Sequence, residues 1–428
     1  MSSKFLRSLA FTIAAITSTA AAPALAGNFG YGNLVVDRMG DGTATLSSTA
    51  TQVSILEVTT SGSLAQTITL ATSGSNQQTD SGSATSDGYL NTYFSGTVGY
   101  VSVPGYNNAV GTASVASQNT KVNSTFDASG SIINRTLFPT GGPSGTPPSP
   151  YSGNNYRSSI ATSGSTFYTA GTSSGTPNTA GIWYNNGSSF IQVTSTATGQ
   201  PTNARNLEIY GSGTSAQLFF TSAASTGTGV FAIGTGLPSS ATQTATLQIN
   251  TGTLGTSASP YGFVMFSTGS QGAGVLDLAY IADDRTTAGG GLEKWTFNGS
   301  AWSNSWSLLV SGTVGSPPST LQSGTATGFA GLRGLAGTWD AVNGATLYAT
   351  TTELSNNRLI SIVDTGTTPS TYSTLMSAGA NYAFRGVDFT PVVQAVPEPS
   401  ALALAGLGVA AAGWGVWRRR VNGRNIKV

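Results

Sequence analysis

Residues 333–338 (RGLAGT), 346–352 (TLYATTT), 358–363 (RLISIV) and 372–376 (YSTLM) are four short runs separated by segments carrying Gly, Asn, Ser or Pro. Runs of this length, rich in β-branched, aromatic and Leu residues and bounded by turn formers, read as strands rather than helices. The grouping in fours recurs upstream. One group is 156–162, 165–170, 181–185 and 189–194, and the next is 205–210, 217–222, 229–234 and 244–250. A third is 261–267, 275–282, 292–297 and 305–310, and the earliest is 89–95, 99–103, 121–126 and 131–137. A repeat of about 50–70 residues built from four strands predicts an all-β fold of the β-propeller type.

A sixth first strand, Phe384 to Phe389, has no strands after it in its own group. Three runs near the N-terminus lack a group: Asn33 to Arg38, Val53 to Thr59 and Leu64 to Leu70. Joining the chain's ends in one blade closes the ring and removes an exposed sheet edge. The expectation is six four-stranded blades over residues 27–390. Seven is the alternative if segments 71–88 or 311–332 hide strands. A β-helix or a sandwich-type adhesin is the rival fold, but a β-helix calls for shorter and more regular coils. Thr140 to Asn155, with Pro143, Pro147, Pro148 and Pro150, reads as a surface loop between blades.

Only 8% of residues are charged, against about a quarter in typical globular proteins. Of 17 Lys and Arg, two precede residue 27 and five follow Trp417, leaving ten; of 16 Asp and Glu, Glu398 lies in the tail, leaving fifteen. A body of about −5 has no basic face for phosphates, which excludes nucleic acid as a partner. The chain has no Cys and no His. That removes disulfides, the commonest general base and transition-metal ligand, and every Ser-His or Cys-His mechanism.

The two ends carry addresses. Met1 to Ala26 has Lys4 and Arg7, an apolar core from Leu9 to Ile16 and a small-x-small Ala24-Leu25-Ala26, the pattern of a cleaved signal peptide. Val396-Pro397-Glu398-Pro399 is followed by an uncharged run, Ser400 to Trp417, and then by Arg418-Arg419-Arg420. That run is long enough as a helix to nearly cross a bilayer, with Trp414 and Trp417 at an interface and the arginines held in the cytoplasm. The expected layout is a linker at 391–399, a transmembrane helix at 400–417 and a basic tail at 418–428.

This three-part tail resembles the PEP-CTERM sorting signal of Gram-negative bacteria. The resemblance implies export, a transient membrane anchor and exosortase as a partner that cuts near Pro397-Glu398-Pro399. The paired export signals, the sparse charge and the missing His and Cys together point to a cell-surface or extracellular-matrix protein, with extracellular polysaccharide as a candidate contact. An anchor that is never cut is the alternative. Residues 333–335, 347–351 and 381–387 also look like the closing stretch of PEP-CTERM propeller proteins, a group with no assigned activity.

Arg157, Arg205, Arg333 and Arg385 recur at the start of first strands, which line the central channel of a propeller. A guanidinium ring there could grip a carboxylate or acidic sugar; alternatively each Arg pairs locally with a neighbouring blade. Asp283-Asp284-Arg285 offers oxygen ligands for Ca²⁺, or else a solvated turn with an Asp–Arg pair. Glu208, Asp340, Glu353 and Asp388 are the carboxylates that a glycosidase or lyase would need in a pair, while Asp41 reads as a turn. Trp183, Trp295, Trp302, Trp306 and Trp339 suit packing between blades or stacking on sugars, with Trp302 and Trp306 able to share one face. The expectation is a structural or ligand-binding protein with no catalytic residue, no metal and no cofactor. A secreted carboxylate-dependent carbohydrate-active enzyme is the alternative.

Overall fold

The structure is a computed structural model that describes residues 27–312, 319–325 and 327–393. The expected signal peptide, the Pro-Glu-Pro motif, the transmembrane helix and the basic tail lie outside the described residues. Among the described residues the only helices are three short 3-10 turns, Val115–Ser117, Gly213–Ser215 and Thr251–Leu254. None is long and apolar enough to cross a membrane. The rest is strand and turn, so the fold is all-β.

Strands β1 (Leu34–Met39), β2 (Ala50–Val58) and β3 (Leu64–Thr69) pair in sequence. After a short β4 (Thr79–Ser81) come β5 (Asn91–Ser95), β6 (Val98–Tyr106), β7 (Lys121–Phe126) and β8 (Ile132–Leu137), again paired in order. Two four-stranded sheets follow. One holds β9 (Tyr156–Ala161), β10 (Phe167–Gly171), β11 (Gly181–Asn185) and β12 (Phe190–Gln192), and the other β13 (Ala204–Tyr210), β14 (Gln217–Ala224), β15 (Gly227–Ile233) and β16 (Ala245–Asn250). Next are β17 (Pro260–Phe266), β18 (Leu278–Asp283), β19 (Gly291–Phe297) and β20 (Trp302–Ser311), extended by β21 (Leu321–Gln322) and β22 (Phe329–Ala330). The last sheet is β23 (Leu332–Asp340), β24 (Gly344–Thr351), β25 (Arg358–Asp364) and β26 (Ser373–Ser377). Finally β27 (Ala383–Phe389) runs antiparallel beside β1, with Leu34 opposite Phe389 and Met39 opposite Ala383, so both ends of the body share one sheet.

The sheets stand in a propeller-like arrangement. β5, β9, β13, β17, β23 and β27 pack side by side in that cyclic order, and β27 returns to β5. Segments 71–88 and 311–332 do hide strands, namely β4, β21 and β22. These add no separate sheet. β4 bridges β2 to β6 and so fuses two groups into one nine-stranded sheet, while β21 and β22 both pair with β20.

Local chemistry explains the hairpins. Between β23 and β24, Asp340 Oδ1 accepts the backbone N–H groups of Val342 (2.9 Å) and Asn343 (2.7 Å), and Gly344 then supplies φ +77°. A side chain on Gly344 would meet the Asp364 carbonyl at 2.1 Å, so only Gly fits. The core lies between successive sheets. Leu335, Leu347 and Ile360 of the last sheet pack with Val264, Tyr280 and Leu292 of the one before. Comparable clusters fill the joints at Leu207 with Ile182, Val35 with Val101, Phe384 with Leu359, Tyr106 with Tyr156, and Phe219 with Phe263. Each fully buried Leu, Ile or Phe contributes about 1.5–3 kcal/mol, so sheet-to-sheet packing holds a ring that has no disulfide.

The loop at 140–155 is more than a surface connection. Tyr151 is fully buried, its ring 5.6 Å from that of Tyr156, and its hydroxyl lies 2.7 Å from Thr169 Oγ1.

Candidate functional site

Tyr89, just ahead of β5, joins Arg157, Arg205, Tyr261, Arg333 and Arg385, which lie near the starts of the other inner strands, in one layer of the ring. Hydrogen bonds from the preceding sheet lock this layer. Ser158 Oγ donates to the Arg205 carbonyl (2.7 Å), Thr221 Oγ1 to that of Tyr261 (2.7 Å) and Thr350 Oγ1 to that of Arg385 (2.6 Å). The Tyr89 N–H donates to the Arg157 carbonyl at 2.9 Å. Gly334 follows Arg333 because a Cβ there would lie 2.4 Å from the Arg385 carbonyl, as the inner strands crowd toward the axis.

Tyr89 and Tyr261 come from opposite sides of the ring, and their ring centroids are 5.7 Å apart. The guanidinium carbon of Arg205 sits 4.1 Å from the Tyr261 centroid, and that of Arg333 sits 5.7 Å from it. The axis is therefore plugged at this level. Each arginine also has a partner nearby. Arg157 reaches Asn203, and Arg205 reaches Ser259 (2.7 Å) and the Pro260 carbonyl (3.2 Å). Arg333 pairs with Asp284 (3.1 Å), and Arg385 donates to the carbonyls of Ala84, Ser81 (3.3 Å) and Gly82 (3.0 Å). These donors join neighbouring sheets.

One level away along the inner strands, Glu208 on β13 and Asp388 on β27 belong to opposite sides of the ring. Asp388 accepts the N–H groups of Thr92 (2.6 Å) and Phe389 (2.7 Å). Burial pushes its carboxyl up to about 7 despite those donors. Burial raises Glu208 well above the carboxylate range, and the Asp388 charge raises it further. Both side chains stay partly exposed. Of the four carboxylates singled out in sequence, these are the two whose charges are linked, Asp388 acting on Glu208. Asp340 caps a surface turn, and Glu353 pairs with Arg358 at 2.7 Å. Asp41 Oδ1 accepts the Thr43 N–H (2.8 Å), closing a turn.

Sequence reading missed a buried acidic centre. Asp37, Asp80 and Asp87 are almost wholly removed from solvent, and the charge of Arg385 bears on all three. Tyr106 donates to Asp87 Oδ2 at 2.7 Å. Burial raises Asp37 and Asp80 well above the usual range and Asp87 to about 6. Among the described residues, no group of three or more acidic side chains is spaced to hold a metal ion. The one signal in sequence was an Asp inside the apolar run Leu34-Val35-Val36-Asp37.

Asp283 forms the expected Asp–Arg pair, but the pair is buried rather than solvated. Asp283 is fully buried; Arg285 grips it with Nε (2.8 Å) and Nη2 (2.9 Å), and the Ser259 N–H donates at 2.7 Å. Its oxygens are thus occupied by a guanidinium fork and an amide.

Trp183 and Trp295 are buried, while Trp302, Trp306 and Trp339 are partly exposed. Trp302 and Trp306 do not share a face. A bulge in β20 sets Asn304 opposite Trp295 but Trp306 opposite Lys294, which turns the two indoles apart. Trp306 packs toward Tyr280, and Trp302 rests on Phe297 with centroids 5.5 Å apart. Trp302 borders a cleft of about 830 Å³ between the β13–β16 and β17–β20 sheets.

Residues 395–420 match the model of the PEP-CTERM protein-sorting motif. The PEP-CTERM signal implies an exported protein that carries a membrane-anchored sorting segment addressed to exosortase. No curated protein matches the chain.

Proposed function

We propose that this chain is an exported, exosortase-processed protein of the Gram-negative cell surface or extracellular matrix, with a structural or ligand-binding body that performs no catalysis. The match of residues 395–420 to the sorting motif carries this reading. The absence of His and Cys supports a non-catalytic body. The local partners of Arg157, Arg205, Arg333 and Arg385 support a structural role for that layer. We also read the body as six blades. The cyclic order of the inner strands supports this, as does a core cluster at every joint between successive groups of strands. Mass spectrometry of the mature protein, from a host with exosortase, tests the address. The expected C-terminus lies near Pro397-Glu398-Pro399; a product retaining Arg418 to Arg420 indicates an uncut anchor and overturns the processing claim.

A second reading, a secreted carbohydrate-active enzyme, draws on Glu208 and Asp388. A protonated carboxyl opposite a carboxylate is the equipment of glycoside hydrolysis. Turnover of polysaccharides that disappears in both Glu208→Gln and Asp388→Asn would establish it against the non-catalytic reading.

A further inference from the structure

We propose that the cleft between the β13–β16 and β17–β20 sheets binds an uncharged oligosaccharide, with Trp302 as its stacking platform. The inference rests on the reading of the body as an exported ligand-binding scaffold, and names the site and the class of ligand. The cleft's volume of about 830 Å³ lies within the ~300–1,000 Å³ usual for small-ligand sites. Its aromatic wall includes Trp295, Phe297 and Trp302, and amide side chains come from Gln248, Asn250 and Asn304.

A pyranose has C–H-rich faces and a rim of hydroxyl groups. The faces suit an aromatic ring, and the rim suits amides, which both donate and accept. No side chain lining the cleft is charged. A charged sugar would lose water there without gaining an ionic partner.

The wall is braced before any ligand arrives. Trp295 Nε1 donates to buried Glu293 at 2.8 Å, which fixes its indole. Asn304 Nδ2 donates to the carbonyls of Lys294 (3.1 Å) and Trp306 (3.1 Å), which leaves its amide oxygen as the group for a sugar hydroxyl. The bulge that parts Trp302 from Trp306 directs Trp302 to this side of β20. Bracing of this kind lowers the ordering cost of binding.

The test is calorimetric titration of the full-length chain in detergent with uncharged hexasaccharides of glucose, mannose and galactose, and with hexagalacturonate as the charged probe. At least one uncharged probe should bind saturably, and hexagalacturonate should bind at least about tenfold more weakly. Trp302→Ala should weaken binding at least about tenfold, while Trp302→Phe, which keeps a ring, should stay within about threefold. Gln248 is exposed, so Gln248→Ala should weaken binding without moving the melting temperature. Three results would overturn the site: no saturable binding of any uncharged probe, binding untouched by both Trp302→Ala and Gln248→Ala, or a preference for hexagalacturonate. The C-terminal mass is read independently, so a failed titration with a processed tail removes the cleft and leaves the export reading standing.

Discussion

Tyr89 and Tyr261 meet across the axis of the ring with their centroids 5.7 Å apart, one from the segment leading into β5 and the other from β17 on the far side. Neither has the other as a neighbour in sequence or in a sheet. Their contact exists only because the ring closes, and it seals the axis at the level of the four arginines.

Removing either ring should therefore be costly. Tyr261→Ala forfeits buried aromatic surface and the faces over which Arg205 and Arg333 sit, and Tyr89→Ala leaves a matching void. Each should destabilise the fold by about 3–5 kcal/mol in urea unfolding. The double variant should fall short of the sum by about 0.5–1.5 kcal/mol, because the two rings share one contact. Strict additivity would show that they do not touch in solution.

Stability should decline as pH rises from about 4 to about 7. Asp37, Asp80 and Glu208 are held above the carboxylate range by burial, with Asp87 at about 6 and Asp388 at about 7. The folded chain thus keeps protons that the unfolded chain has released. Their contribution is complete below the unfolded values and is lost as pH passes through the folded ones. Lys121, pulled down to about 7, acts in the opposite sense but only above that pH. Melting temperatures should be higher at pH 5 than at pH 7.5, and Asp388→Asn should shrink the difference. A melting temperature that climbs across this window would contradict the assignment.

The buried Asp283–Arg285 pair supports the joint between the β13–β16 and β17–β20 sheets. Asp283→Ala removes the carboxylate that grips Arg285 and leaves Glu293 at 3.6 Å as the nearest acidic group, one that burial and, in the parent chain, the Asp283 charge hold above the usual carboxylate range. Loss of one member of a buried pair should destabilise the protein by about 3–5 kcal/mol, readable in guanidinium chloride unfolding.

Gly334→Ala tests the crowding of the inner strands. The added methyl would sit 2.4 Å from the Arg385 carbonyl and 2.7 Å from Thr350 Oγ1. Backbone must shift to admit it, so the expected loss is about 1–3 kcal/mol, measured by thermal and urea unfolding. A neutral substitution would show that the strands around the axis have room for a methyl group in solution.

Much of the fold was legible in sequence because strands are local objects. Arg358-Leu359-Ile360-Ser361-Ile362-Val363 reads as a strand from its composition and flanking turns, and it lies within β25. Strands β4, β21 and β22 are too short to carry a periodicity, so segments 71–88 and 311–332 read in sequence only as places able to hide strands. Simple alternation would put Trp302 and Trp306 on one face, but one bulge residue reverses the alternation beyond it. The acidic centre escaped because Asp37, Asp80 and Asp87 lie on separate segments, and only folding sets them around Arg385.

By itself the sequence determined two things: an all-β body of strands and turns, and a C-terminal sorting address. Both are written in short windows, where side-chain alternation and turn chemistry act over a few residues and a motif is read by its own order. The tertiary structure alone decided that Tyr89 plugs the axis against Tyr261, that Glu208 and Asp388 belong to opposite sides of it, and that Trp302 borders a cleft. Those relations join residues far apart in the chain. They depend on ring closure, sheet twist and a single bulge, which no local pattern encodes.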